Sequence, residues 1–159
     1  MNPIENTANL FANGLNCSQA IMIVFGKPFG LDTEMATKIG RPWGGGMGHL
    51  AQTCGALTAA IMVLGLANTV SEEGQARKET FESVRLLFQS FEEKFGTTVC
   101  KNLLGEDLNT EVGARRIREQ NLVRKVCPKY VRTVAEILTE IVTGKKEDIA
   151  PKGKLNSTV

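Results

Sequence analysis

Apolar residues along this chain recur at intervals of three and four, broken by glycines, and nowhere alternate one by one over the length of a strand. That pattern predicts an all-α fold. A first short helix is expected from about Pro3 to Asn13, with Pro3 in the first turn and Gly14 as a left-handed stop. Asn16 reads as the N-cap of a helix over Cys17 to Phe25, which the run Gly26-Lys27-Pro28-Phe29-Gly30 then ends. Asp32 or Thr33 caps a further short helix that closes near Gly40.

The segment Arg-Pro-Trp-Gly-Gly-Gly-Met-Gly, residues 41–48, is the strongest loop signal in the chain, and glycines at 44–48 let backbone pass close to a neighbour. Residues 51–67 carry no charge and are predicted to form a central apolar helix, around which the others bundle. This run is too short to span a bilayer, which needs about 20 apolar residues, so no membrane span is expected. Gly55, Ala56, Ala59 and Ala60 suit close helix contacts.

Thr69 and Glu72 suggest a capping box opening the longest helix, about Ser71 to Phe95. Its stripe is Phe81, Val84, Phe88, Phe91 and Phe95, with Glu73 and Arg77 placed to pair on the other side. The same stripe would extend the core or form the seam of a homodimer. Shorter helices are expected at Cys100 to Leu104 and Glu111 to Asn121. Pro128 then starts a last helix with Val131, Val134, Ala135, Leu138, Ile141 and Val142 on one face. Residues 1–143 thus read as a single helical domain and 144–159 as a polar, extended or disordered tail.

Composition changes this picture little. A chain of 159 residues with 42% hydrophobic residues can bury a core without disulfide staples. The excess of Lys and Arg over Asp and Glu is only two, 19 against 17, so neither nucleic acid nor anionic lipid is an expected partner. The polar start of the chain lacks the features of a secretory signal, and a cytoplasmic setting is expected.

The chemistry lies in Cys17, Cys54, Cys100 and Cys127, which accompany a single histidine and form no CxxC pair. They are separated by 36, 45 and 26 residues, a spacing that matches no zinc finger, ribbon or ferredoxin. On the expected helices, Cys17, Cys54 and Cys127 all fall near N-termini, where unpaired N–H groups favour thiolate. Four converging thiolates suit an iron-sulfur cluster or a tetrahedral zinc. Two of them suffice for thiol–disulfide exchange. A third reading is a helical adaptor whose cysteines merely fill space.

The segment Cys54-Gly55-Ala56-Leu57-Thr58-Ala59, with Cys17 before it and Cys100 and Cys127 after it, resembles the C_GCAxxG_C_C family of four-cysteine proteins, which are regarded as redox-active. The resemblance runs from about Gly14 to Ile141 and includes the glycine run before the motif. Ala59 departs from it, since the CGAxxG motif has glycine there. The resemblance implies a redox or metal site built from all four cysteines. Some relatives carry haem-attachment motifs, but this chain has no CxxCH, so covalent haem is not expected.

The reading placed first is an iron-sulfur or other thiophilic metal site on Cys17, Cys54, Cys100 and Cys127, serving electron transfer or sensing with a redox partner protein. His49, beside the motif with Met47, is a lesser candidate ligand. The glycine loop lacks the Lys-Ser or Lys-Thr of a P-loop. Arg115, Arg116, Arg118, Arg124 and Lys125 form a basic cluster better read as a solvated face or a dock for an acidic redox partner than as a nucleic-acid surface. Neither paired carboxylates nor a Ser-His-Asp set is present to support hydrolysis.

Overall fold

A computed structural model describes residues 2–149, and these form an all-α bundle. Helices α1 (Pro3–Ala12), α2 (Cys17–Gly26) and α3 (Thr33–Gly40) come first, with a 3-10 turn at Lys27–Phe29 and another at Arg41–Trp43. The single turn α4 (Gly44–Met47) precedes α5 (Gly55–Ala67), α6 (Glu73–Phe95), α7 (Cys100–Leu104), α8 (Glu111–Glu119) and α9 (Leu122–Ile149).

The N-terminal boundaries follow their caps. Pro3 occupies the first turn of α1 behind Asn2, and Gly14 takes φ +112° just beyond its end. Asn16 closes a full capping box on α2: its Oδ1 accepts from the Gln19 N–H at 2.8 Å, while its own N–H donates to Gln19 Oε1 at 3.1 Å. The Asp32 carboxylate caps α3 by accepting from the Met35 N–H.

Helix α5 is the centre of the bundle. Ala56, Leu57, Ala59, Ala60, Val63 and Leu64 have no exposed surface, and α2, α6 and α9 all pack against this helix. The alanines leave room for neighbouring backbones to come close, while Leu57, Val63 and Leu64 fill the space between them. On α9 the expected stripe holds: Val131, Val134, Ala135 and Leu138 are fully buried, and Ile141 nearly so. Glu73 and Arg77 pair across one turn at 3.5 Å.

Five expectations are corrected. The central helix begins at Gly55, because Thr53 is drawn into an antiparallel bridge with Val99, in the segment before α7. No Thr69 capping box forms; Glu72 is itself the cap of α6, each carboxylate oxygen taking one N–H, from Gly74 and Gln75. The buried line on α6 is Ser83, Leu87 and Phe91, so Phe81 is left at its margin and is 55% exposed. Finally, Pro128 lies inside α9, which is longer than α6. Its ring removes only the N–H that would reach the Arg124 carbonyl, and the turn ahead of it is held by Val123 and Val126 packing on the core. Helix α9 also continues past Gly144, while 150–159, the rest of the expected tail, lie outside the described residues.

Candidate functional site

Cys17 is the first residue of α2, directly after its cap. Its sulfur is held by the backbone N–H groups of Cys17 and Ser18 in that first turn and by the N–H of Gly45. The third donor comes from an unusual piece of chain. Gly45, Gly46, Met47, Gly48 and His49 all have φ between 62° and 69°, a run of left-handed backbone that L-residues other than glycine resist. Asn16 ties this turn to α2 by donating from Nδ2 to the Arg41 carbonyl at 3.1 Å.

Cys54 caps α5 and is buried. It is fixed by a short antiparallel bridge between Thr53 and Val99, in which the Cys54 N–H donates to the Thr98 carbonyl at 2.9 Å and the Cys100 N–H to the Gln52 carbonyl at 2.6 Å. The same bridge therefore brings Cys100, the first residue of α7, alongside Cys54. Cys127 packs beside Cys100 in a small apolar cluster with Leu104 and Ile117. It is an interior residue of α9, so the expectation of a helix N-terminus there is corrected, and Cys100 takes that place instead.

All four sulfur-bearing side chains line one cavity of about 570 Å³. They are chemically unequal within it. The Cys54 S–H donates to Cys17, and this bond, with the three backbone N–H groups, lowers the Cys17 pKa to about 7 against the cost of burial. The same bond and burial hold the Cys54 proton on, well above the ordinary thiol range. Burial first, then the nearby Cys17 charge, push Cys100 and Cys127 up to about 12; Asp107 adds to this at Cys100, and Arg124 opposes it at Cys127. Cys17 as a residue is half-buried, and its thiol faces the cavity.

A family model described as "Putative redox-active protein (C_GCAxxG_C_C)" matches residues 15–141. The chain belongs to this family. No curated protein and no solved structure matches it.

The structure of this C_GCAxxG_C_C member explains why the motif has glycine after its cysteine. A Cβ on Gly55 would fall 2.8 Å from Cys17 Sγ and against the Trp43 carbonyl, closing the space in which Cys17 and Cys54 meet. A Cβ on Gly46 would fall 2.7 Å from the Cys100 Cβ. Ala59 is fully buried on α5, its methyl accommodated where the motif has glycine.

A metal or cluster needs at least three donors drawn into one shell. Among the described residues no three Cys, His, Asp or Glu side chains form such a group. His49 lies at the cavity rim and is exposed. Tyr130 escaped the sequence reading: it lines the cavity and its hydroxyl donates to the Leu103 carbonyl at 2.9 Å, anchoring α7 to α9. Arg118 lines the cavity too, and so does Arg41. Among the described residues no helix is long and apolar enough to cross a membrane.

Proposed function

We propose that the chain is a thiol–disulfide redox protein in which Cys17 attacks and Cys54 resolves. The observation that carries this reading is the Cys54 S–H donated to a Cys17 sulfur whose pKa is lowered to about 7. A sulfur of that acidity is about half thiolate at neutral pH, near the optimum for exchange.

In the first step the Cys17 thiolate attacks a disulfide R–S–S–R′. The substrate S–S bond breaks, a Cys17–S–S–R bond forms, and R′–S⁻ leaves to take a proton. Cys17 is now neutral, which removes the hydrogen bond and the charge that kept Cys54 protonated. Cys54 gives its proton to the departing thiolate or to water and attacks Cys17 Sγ, expelling R–S⁻, which is protonated in turn. In sum the dithiol loses two electrons and two protons, and the disulfide becomes R–SH and R′–SH. The reverse sequence returns the protein to its reduced form, as a cytoplasmic setting would favour.

The test is oxidation of the reduced protein with a small disulfide, followed by thiol counting and peptide mapping. A Cys17–Cys54 disulfide is expected, with Cys17→Ser inert and Cys54→Ser arrested as a mixed disulfide. Full-length protein isolated anaerobically with stoichiometric iron or zinc, lost in each single Cys→Ser variant, would replace this reading by the cluster. Inert thiols would leave the cysteines structural.

A further inference from the structure

We infer that the disulfide taken up by this cavity is a small organic one carrying carboxylates. This rests on the exchange reading above and adds to it the chemistry of the substrate. Two observations, size and charge, converge on it.

The cavity volume of about 570 Å³ is within the range of small-molecule sites, roughly 300–1,000 Å³. The substrate disulfide has to reach Cys17 Sγ, which lines the cavity beside the buried Cys54, so it must enter between the apolar walls at Leu103, Ile117 and Val131. A disulfide embedded in the surface of a folded protein does not fit that description; a slender organic one does.

Charge narrows the class. Among the described residues the charged ones lining the cavity are Arg41, Arg118 and Arg124, and no carboxylate lines it. Asp107, the acidic group felt by Cys100, lies outside the lining and faces Lys101 at 4.0 Å. Arg124 is already engaged, donating to the Phe11 carbonyl with its guanidinium over the Phe11 ring. Arg41 and Arg118 are exposed, and among the described residues neither is paired with a carboxylate. Elsewhere on the surface Arg116 meets Glu106 at 3.2 Å and Arg132 meets Glu5 at 2.7 Å. Two exposed guanidinium groups lining a thiol cavity, with no carboxylate partner among the described residues, suit carboxylates, which they can bind through paired N–H donors. The chain's formal net charge of +2 is too small to supply the selection on its own.

The test compares three disulfides of similar length: 3,3′-dithiodipropionate (dianion), bis(2-hydroxyethyl) disulfide (neutral) and cystamine (dication). Each rate of protein thiol oxidation is divided by the rate for the same disulfide with a free, uncharged thiol. The dianion is expected to exceed the neutral compound by about tenfold and the dication to fall below both. In Arg41→Gln/Arg118→Gln that order should collapse to within about twofold, whereas Arg85→Gln, remote from the cavity, should keep it. Equal normalised rates in the unaltered protein, or an order that survives in the double variant, would overturn the inference while leaving exchange intact. If none of the three oxidises Cys17, the exchange reading fails and the inference falls with it.

Discussion

Cys54 donates its S–H to Cys17, and the two thiols end with opposite acidities, one lowered to about 7 and the other raised well above the ordinary range. Neither shift belongs to one residue alone. The proton is shared unequally because three backbone N–H groups serve Cys17, while Cys54 is buried with the Cys17 charge beside it.

The alkylation rate of Cys17 by iodoacetamide should therefore titrate with a midpoint near 7. In Cys54→Ala the largest cause of the lowering is gone, and the midpoint should move up toward that of a free thiol, about 8.5. Cys54→Ser retains an O–H donor and should lie between them. An unchanged midpoint in Cys54→Ala would show that the backbone donors suffice by themselves.

Gly55→Ala should cost about 1–3 kcal/mol of stability, because the new methyl meets Cys17 Sγ and the Trp43 carbonyl and neither helix start can easily retreat. It should also raise the Cys17 alkylation midpoint by displacing that sulfur. Ala59→Gly restores the motif residue and should cost about 1 kcal/mol through helix propensity, with no change in that midpoint. Urea unfolding and the alkylation profile together separate the two.

Removing the Tyr130 hydroxyl as Tyr130→Phe leaves the buried Leu103 carbonyl without its donor, a loss of about 1–3 kcal/mol. Since Leu103 belongs to α7, whose first residue is Cys100, amide exchange over residues 100–104 should rise more than exchange in α5. Uniform loosening would argue against a local anchor.

Alkali should weaken the fold through Cys100 and Cys127. Their folded pKa values, about 12, are raised above the unfolded value near 8.5, so their contribution is fully present below that value and is lost as pH rises toward 12. The slope is up to about 1.4 kcal/mol per pH unit for each thiol. Cys17 has the opposite sign: its contribution is present above the unfolded value and is lost as pH falls through about 7. Unfolding free energy measured at pH 8 and pH 10 should drop less in Cys100→Ala/Cys127→Ala than in the unaltered protein.

What could be read from sequence was local. Asn16 and Asp32 are caps because their side chains answer N–H groups three residues away, and the stripe on α9 follows from helical spacing alone. The bridge between Thr53 and Val99 escaped notice because each extended piece is only a few residues long and carries no alternation. Pro128 misled because a proline marks a helix start well only when neighbouring packing does not sustain the turn before it. The four cysteines stood out by their number and wide separation beside a single histidine, and the family resemblance added to that reading. Their gathering around one cavity, the pairing of Cys17 with Cys54 and the arginines lining that cavity depend on contacts between distant segments, which spacing does not encode.

Cys17 and Cys54 stand at the beginnings of two packed helices, α2 and α5, with 36 residues between them. A bond between these sulfurs would close a loop holding all of α3 and the left-handed turn, and shrink the unfolded ensemble by an amount worth roughly 4 kcal/mol. Oxidised molecules would open less often and survive proteases longer than reduced ones. The protein's abundance in a cell would then carry a record of its recent redox history, written in lifetime as well as in sulfur.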